Sequence, residues 1–110
     1  MNIWQEGLLG EMRAARQMKK QGMRILERRY RTAHGEIDLI AQEGDTLVFI
    51  EVKARAKGKM GAGAQAVNRE KQKHLRYAAR HYLQTHPAGK VRFDVVEISA
   101  AGLRHIKNAF

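Results

Sequence analysis

Two apolar segments separated by a Gly-Asp dipeptide constrain the fold of this chain more than any other feature. Gly44 and Asp45 suit the two loop residues of a type II′ turn, so residues 35–53 are predicted to form a β-hairpin. This register sets Asp38 opposite Glu51. A longer loop would shift the register by one residue and separate these side chains. Both strands are apolar on most of both faces, which is typical of central strands covered by other elements.

Alternating side chains divide the hairpin into two faces. One face is predicted to carry the apolar residues Ile37, Leu39, Val48, Ile50 and Val52, and the other Ile40, Leu47 and Phe49. The charged residues expected to share one face, at the end away from the turn, are Glu36, Asp38, Glu51 and Lys53. Two carboxylates about 5 Å apart at Cβ repel each other unless a proton or a cation lies between them. The pattern therefore indicates a divalent-metal site, and the simpler alternative is a salt-bridged Glu-x-Lys pair at the surface.

The formal net charge of +10 over 110 residues favours a polyanionic partner, either nucleic acid or an anionic membrane surface. The alternative is a basic protein with no such partner. No run of about 18 apolar residues predicts a membrane-spanning helix. The chain has no cysteine, which excludes a disulfide framework and a thiolate metal site. A cytoplasmic location fits this composition.

The remaining pattern predicts one α/β domain over residues 1–110, with a mixed β-sheet of four to five strands flanked by helices. Helices are predicted over residues 3–21 and 65–85, strands over 23–32 and 92–98, and a short edge strand over 103–107. The strand that returns through the long second helix can run parallel to an earlier one. Residues 55–63 are basic and glycine-rich, and they are predicted to form a mobile loop that either clamps phosphate or simply connects two elements.

Single residues outside the hairpin carry further expectations. Trp4 and Met12 of the first helix are predicted to lie in the core. Lys71 interrupts the apolar seam of the second helix, so it is expected either to point toward the charged cluster or to extend to solvent. Asp94 is expected to be structural, paired with Arg92 or another strand cation. The histidines show no metal-ligand spacing.

Two segments of the hairpin resemble the PD-(D/E)XK nuclease signature, in which an Asp ends one strand and Glu-x-Lys lies on the next. They are GEIDLI at residues 35–40 and VFIEVKAR at residues 48–55. Over residues 4–98 the chain resembles the small bacterial proteins of the YraN family, which are described as similar to archaeal-type Holliday junction resolvases. The resemblance implies a restriction-endonuclease-like fold. One departure is Ile37, which stands where the superfamily usually has proline.

The resemblance implies that Asp38 and Glu51 hold Mg²⁺ or Mn²⁺, hard cations that prefer carboxylate oxygens. The carbonyl of Val52 would complete the ligand shell. Glu11 of the first helix would add a third carboxylate or bind through water. The alternative for Glu11 is solvation or pairing with an arginine.

The resemblance also implies that Lys53 orients or deprotonates the attacking water, or stabilises charge on the phosphorane. Gln72 or Lys71 would position the water or the scissile phosphate, and the sequence does not decide between them. Glu36 shares a face with Asp38 and so could belong to the site, and the alternative is that it pairs with Lys53 or a backbone amide. Candidate phosphate contacts are Arg13, Arg55, Lys57, Lys59, Arg69, Lys71, Lys73 and Arg76.

These expectations converge on a metal-dependent endonuclease that hydrolyses phosphodiester bonds in structured or branched DNA. The main alternative is a non-catalytic nucleic-acid-binding module with a nuclease-like fold. A basic membrane-surface or ribosome-associated protein is a third reading, but it leaves the opposed carboxylates unexplained. Enzymes that cut junctions often act as dimers, so a homodimer is expected by analogy.

Overall fold

The computed structural model describes residues 3–54 and 67–110, with side chains from residue 8 onward. Its elements are α1 (Ile3–Lys20), β1 (Arg24–Thr32), β2 (Gly35–Glu43), β3 (Thr46–Ala54), α2 (Arg69–Leu83), β4 (Lys90–Ser99) and β5 (Gly102–Ile106). The whole of the predicted basic loop at 55–63, and the side chain of Trp4, lie outside these described parts. Neither described helix is long and apolar enough to cross a membrane.

The strands form one five-stranded mixed sheet in the order β1-β2-β3-β4-β5. Neighbouring strands are antiparallel except β3 and β4, which are parallel because the chain returns through α2 before β4 begins. The predicted α/β fold, with a mixed sheet flanked by helices, is confirmed. The final strand begins at Gly102, one residue earlier than predicted.

The β2–β3 hairpin has the register predicted from its Gly-Asp loop. Ile40 lies opposite Phe49, and the last pair before the loop is Glu43 with Thr46. Gly44 has a φ of +61°, which an L side chain rarely adopts but which the first loop residue of a type II′ turn requires. The local sequence therefore fixes which side chains of the two central strands face each other.

Each face of the sheet is covered by one helix. The buried residues on the α1 side are Ala14, Ala15, Met18, Met23, Leu39, Ala41, Val48, Ile50, Val96 and Ile98. Those on the α2 side are Ile37, Ile40, Leu47, Phe49, Val67, Leu75, Ala78, Ala79, Tyr82 and Val95. Both clusters are apolar, and together they bury the central strands on both faces, as the sequence predicted.

Ile37 corrects one predicted face assignment, because it packs on the α2 side while Leu39 packs on the α1 side. The cause lies in the neighbouring strand. Arg28 pairs with Leu39 and Tyr30 pairs with Ile37, and Arg29 between them has a φ of +52°. A positive φ within a strand turns the chain locally, so strict alternation is lost opposite this residue.

Two helix predictions were also wrong in detail. Met12 is 43% exposed rather than buried, because α1 contacts the sheet through a stripe that includes Ala14 and Met18. Helix α2 begins at Arg69 rather than at residue 65. Asn68 caps it: its side-chain oxygen accepts a hydrogen bond from the Lys71 backbone N–H, which satisfies an amide that has no partner within the helix.

Candidate active site

Asp38 and Glu51, called the acidic pair below, lie at the end of the hairpin away from its loop. Leu39 pairs with Ile50, so the same register sets Asp38 opposite Glu51. The two carboxyl groups are close enough for Glu51 to raise the pKa of Asp38. The Val52 backbone N–H donates to Asp38 Oδ2 at 2.8 Å, which fixes the Asp38 side chain against β3. The structure thus brings together the two carboxylates that the turn register placed opposite each other.

The surroundings of Asp38 disfavour its ionised form, which is seen as a raised pKa. Burial raises the pKa of Asp38 from its ordinary value of 3.8 to about 8, assisted by the neighbouring carboxyl group of Glu51 and its negative charge. The Val52 N–H and the charge of Lys71 act in the opposite direction on this pKa. Such a raised pKa is expected where two carboxyl groups occupy one poorly solvated site, because both cannot ionise without a cation.

One oxygen of the pair has no hydrogen-bond donor within the described residues. Glu51 is only 5% exposed, and its Oε2 atom is buried without such a donor. Lys71 Nζ lies 3.2 Å from Oε2, close enough for an ion pair but outside hydrogen-bond geometry. A buried carboxylate oxygen held only by charge is costly for a fold, and it is well suited to a cation ligand.

Lys71 therefore points toward the acidic pair, which is one of the two orientations predicted for it. Its ammonium group neutralises part of the charge from the α2 side. Gln72, the alternative positioning residue, donates from Nε2 to the Val67 carbonyl oxygen at 2.9 Å and so supports the start of α2. The distances favour Lys71 over Gln72 as the α2 residue that reaches the site.

Glu11 of α1 approaches the acidic pair but is held by an arginine. Arg29 Nε donates to Glu11 Oε1 at 2.8 Å, and both side chains are largely buried. Burial raises the pKa of Glu11, as do the charges of Asp38 and Glu36, while the bond from Arg29 lowers it. Glu11 therefore adds negative potential at the site, and its role as a metal ligand stays a prediction.

The donor set fits a hard divalent cation that keeps part of its water shell. Within 3–54 and 67–110, no three histidine, aspartate or glutamate side chains converge as a ready-made metal site. Mg²⁺ is commonly held by one or two carboxylates, with water and substrate phosphate filling the other positions. The acidic pair supplies two such carboxylates, one of them with the orphan oxygen of Glu51. The Val52 carbonyl stays a predicted ligand.

Lys53 lies two residues after Glu51 on β3, where strand alternation sets both on the same face. It is half-buried and lies in register with Glu97 of β4. Glu97 is completely buried and was not singled out from the sequence. A charged residue inside the apolar Val-Val-Glu-Ile segment was the available signal, since carboxylates are rarely buried without a partner. Arg29 was also missed, because its contact with Glu11 joins residues far apart in sequence.

The predicted phosphate contacts that the structure describes lie on both sides of the sheet rather than on one surface. Arg13 lies on α1, while Arg69 and Lys73 lie on α2, across the sheet. The Arg76 guanidinium lies 4.9 Å from the Phe93 ring centroid and 5.4 Å from that of Phe110. The predicted contacts outside the described residues are Arg55, Lys57 and Lys59. Among the predicted phosphate contacts that the structure describes, Lys71 of α2 is the one with an ion pair to the acidic pair.

Asp94 is structural, as predicted. It is fully buried, and it accepts hydrogen bonds from Arg92 at 2.8 and 2.9 Å, from His105 Nε2 at 2.7 Å and from the Asn108 N–H at 3.0 Å. Burial raises its pKa, but the bonds from His105, Arg92 and Asn108 outweigh burial and hold that pKa below the ordinary value. Unlike Asp38, this carboxylate has its charge compensated within the protein.

Comparison with known proteins identifies the family. The sequence model of the uncharacterised protein family UPF0102 matches residues 10–98. A UPF0102 protein of Herminiimonas arsenicoxydans is 46% identical over 104 residues, covering 94% of this chain and 84% of that protein. A UPF0102 protein of Caldicellulosiruptor saccharolyticus is 41% identical over 118 residues and covers 100% of both chains. These matches confirm the YraN-like assignment: the chain belongs to the UPF0102 family.

Proposed function

We propose that this protein is a metal-dependent endonuclease that hydrolyses phosphodiester bonds in DNA. The observation that carries the proposal is the acidic pair of Asp38 and Glu51, buried at the end of the central hairpin with a raised Asp38 pKa and an orphan Glu51 oxygen. The net charge of +10 supports a polyanionic substrate. The resemblance to PD-(D/E)XK nucleases connects the acidic pair and the polyanionic substrate, because such an enzyme uses a carboxylate-bound metal to hydrolyse nucleic acid.

In this mechanism Asp38 and Glu51 would hold Mg²⁺ or Mn²⁺. When bound, the cation polarises a phosphoryl oxygen and stabilises the charge that develops in the transition state. The Val52 N–H keeps Asp38 in its orientation. Lys53 holds the attacking water or takes its proton, and Lys71, which lies beside Glu51, contacts the scissile phosphate. Branched DNA is the proposed substrate class, cleaved in the cytoplasm by a dimer that supplies one site per strand.

A second candidate is a non-catalytic nucleic-acid-binding module. The observation that favours it is the ion pair between Lys71 and Glu51, because this ammonium group compensates part of the buried charge without a metal. On this reading the acidic pair does not bind Mg²⁺ or Mn²⁺, and the cations of the surface hold nucleic acid without cleavage.

The test is a cleavage assay on labelled junction, flap, duplex and single-stranded DNA, with Mg²⁺, Mn²⁺ or EDTA. Asp38→Asn and Glu51→Gln keep the shape of each side chain and remove its charge. Asp45→Asn is the matched control, because it removes a carboxylate at the opposite, exposed end of the same hairpin. We expect cleavage only with metal, a loss of about 100-fold or more in both site variants, and full activity in Asp45→Asn.

Two outcomes would contradict the proposal. Cleavage that survives in Asp38→Asn and Glu51→Gln would point to another site or a contaminant. Salt-dependent binding of DNA without cleavage of any substrate in either metal would favour the binding module.

A further inference from the structure

An exposed aromatic pair lies on the α2 side of the molecule, outside the acidic pair. Tyr77 of α2 is 36% exposed. His34, from the turn between β1 and β2, approaches it with ring centroids 5.1 Å apart and an interplanar angle of 89°. This edge-to-face contact joins a helix to a turn and leaves part of the Tyr77 ring open to solvent.

The same helix face carries unpaired positive charge. Lys73 and Arg80 lie four residues before and three residues after Tyr77, which places all three on one side of α2. Both cations are exposed, and neither has an ion pair within the described residues. Alternating aromatic and cationic groups on one surface match a nucleic-acid strand, whose bases stack and whose phosphates are anionic.

The turn that supplies His34 is held rigidly against the helix. A Cβ atom at Gly35 would lie 2.2 Å from the His74 carbonyl oxygen, so only glycine allows this approach. Between the turn and α2 lies a surface cleft of about 440 Å³ lined by residues that include Arg31, His34 and His74. The aromatic pair therefore stands at the edge of a formed cleft.

Two residues that line the cleft lie close in sequence to the acidic pair and to Lys71. Glu36, which lines it, lies two residues before Asp38 on β2. His74, on its other wall, lies one turn after Lys71, whose ammonium group contacts Glu51. Lys71 and Tyr77 are six residues apart, roughly 9 Å along the helix axis. Six residues also rotate the helix by about 120°, so a strand that contacts Tyr77 would cross α2 obliquely to reach the acidic pair.

We propose that Tyr77 and His34 form a stacking platform for an unpaired base, with Lys73 and Arg80 contacting the flanking phosphates. A base within a duplex has both faces covered by its neighbours, so the platform selects single-stranded or splayed nucleic acid, such as a flap or an open junction arm, over continuous duplex. This inference rests on the proposed nuclease function and names the form of substrate that the same site receives.

The test measures binding in EDTA, where a metal-dependent enzyme cannot cleave. Fluorescence anisotropy compares a single-stranded oligonucleotide with the matching duplex, and 2-aminopurine in the single strand reports stacking by its quenching. We expect Tyr77→Ala to weaken single-strand binding about tenfold and to abolish quenching, with duplex binding changed less than about twofold. Tyr77→Phe keeps the ring and should bind like the wild type. Val91→Ala, at an exposed apolar residue of β4, is the control.

Three results would overturn the platform. The first is that Tyr77→Ala binds the single strand as tightly as the wild type does. The second is that Tyr77→Ala loses equal affinity for the single strand and the duplex. The third is that Tyr77→Phe loses binding although its melting temperature matches that of the wild type. None of these depends on cleavage. A protein that binds single strands through Tyr77 but never cuts would refute the nuclease proposal and leave the platform intact.

Discussion

Asp38→Asn should stabilise the protein at alkaline pH, because the acidic pair is destabilising to the fold when it is ionised. The folded pKa of Asp38 is about 8, against 3.8 as its ordinary value. Between these two values the native state holds a proton that the unfolded state releases, so stability falls as the pH rises from about 4 to about 8. At about 1.4 kcal/mol per pH unit, the loss is on the order of 5 kcal/mol.

An asparagine at this position carries no charge at any pH. A buried, incompletely paired amide costs about 1–3 kcal/mol, so we expect a net gain of about 2–4 kcal/mol in the free energy of unfolding at pH 8. At pH 4, where Asp38 is protonated in the native state, only the cost of the amide remains, so the variant should be about 1–3 kcal/mol less stable than the wild type. Urea denaturation followed by circular dichroism, repeated from pH 4 to pH 9, measures both quantities.

Asp94→Asn is the matched comparison, since it makes the same change at another buried aspartate. The bonds from His105, Arg92 and Asn108 lower the Asp94 pKa, so this charge stabilises the native state above the unfolded pKa, and the stabilisation is lost as the pH falls through the folded pKa. We expect a loss of about 3–5 kcal/mol at neutral pH. An Asp38→Asn variant that is less stable than the wild type at pH 8, or shifted equally at pH 4 and pH 8, would refute this account of the acidic pair.

Two further predictions concern the surroundings of the site. Gly35→Ala should lower the free energy of unfolding by about 1–3 kcal/mol, because the new methyl group meets backbone at 2.2 Å. Gly89→Ala, at a position with open space around it, should change stability by less than about 1 kcal/mol, and equal effects of the two substitutions would show that the turn is not held against α2. A double-mutant cycle of Glu11→Gln and Arg29→Gln should give a favourable coupling energy in urea unfolding, since Arg29 Nε and Glu11 Oε1 lie 2.8 Å apart. If the effects of the two single substitutions on stability simply added, Arg29 would not be holding Glu11.

The hairpin could be predicted because its determinants are local. Gly44 and Asp45 specify the turn, and the turn specifies every pair along the two strands. The opposition of Asp38 and Glu51 follows from that register alone. The site was therefore accessible from the sequence as far as it depends on two neighbouring strands.

The parts of the site that depend on distant segments could not be predicted in the same way. Arg29 adopts a positive φ that its residue type does not favour, and its guanidinium contacts Glu11 of another element. That local turn also changes the face of Ile37. Strand periodicity assumes regular backbone, so it fails where a neighbouring strand is distorted.

Helix patterns fixed the existence of α1 and α2 but not their orientation in detail. In α1, Ala14, Ala15 and Met18 form the contact stripe, which leaves Met12 outside it. The spacing of apolar residues alone fits both phases, because small alanines bury well but weigh little in a hydrophobic pattern. Lys71 shows the converse case. Its place in an apolar seam gave two orientations, and the ion pair with Glu51 decides between them.

Direct binding of Mn²⁺ tests most sharply whether the acidic pair is a divalent-cation site. Isothermal titration calorimetry of the wild type at pH 7 should show saturable binding of Mn²⁺ at a single site. Asp38→Asn and Glu51→Gln should each abolish this binding. Because Asp38→Asn is expected to be at least as stable as the wild type, loss of binding in that variant cannot be attributed to unfolding. The account would be contradicted if the wild type showed no detectable Mn²⁺ binding, or if both variants bound Mn²⁺ as tightly as the wild type.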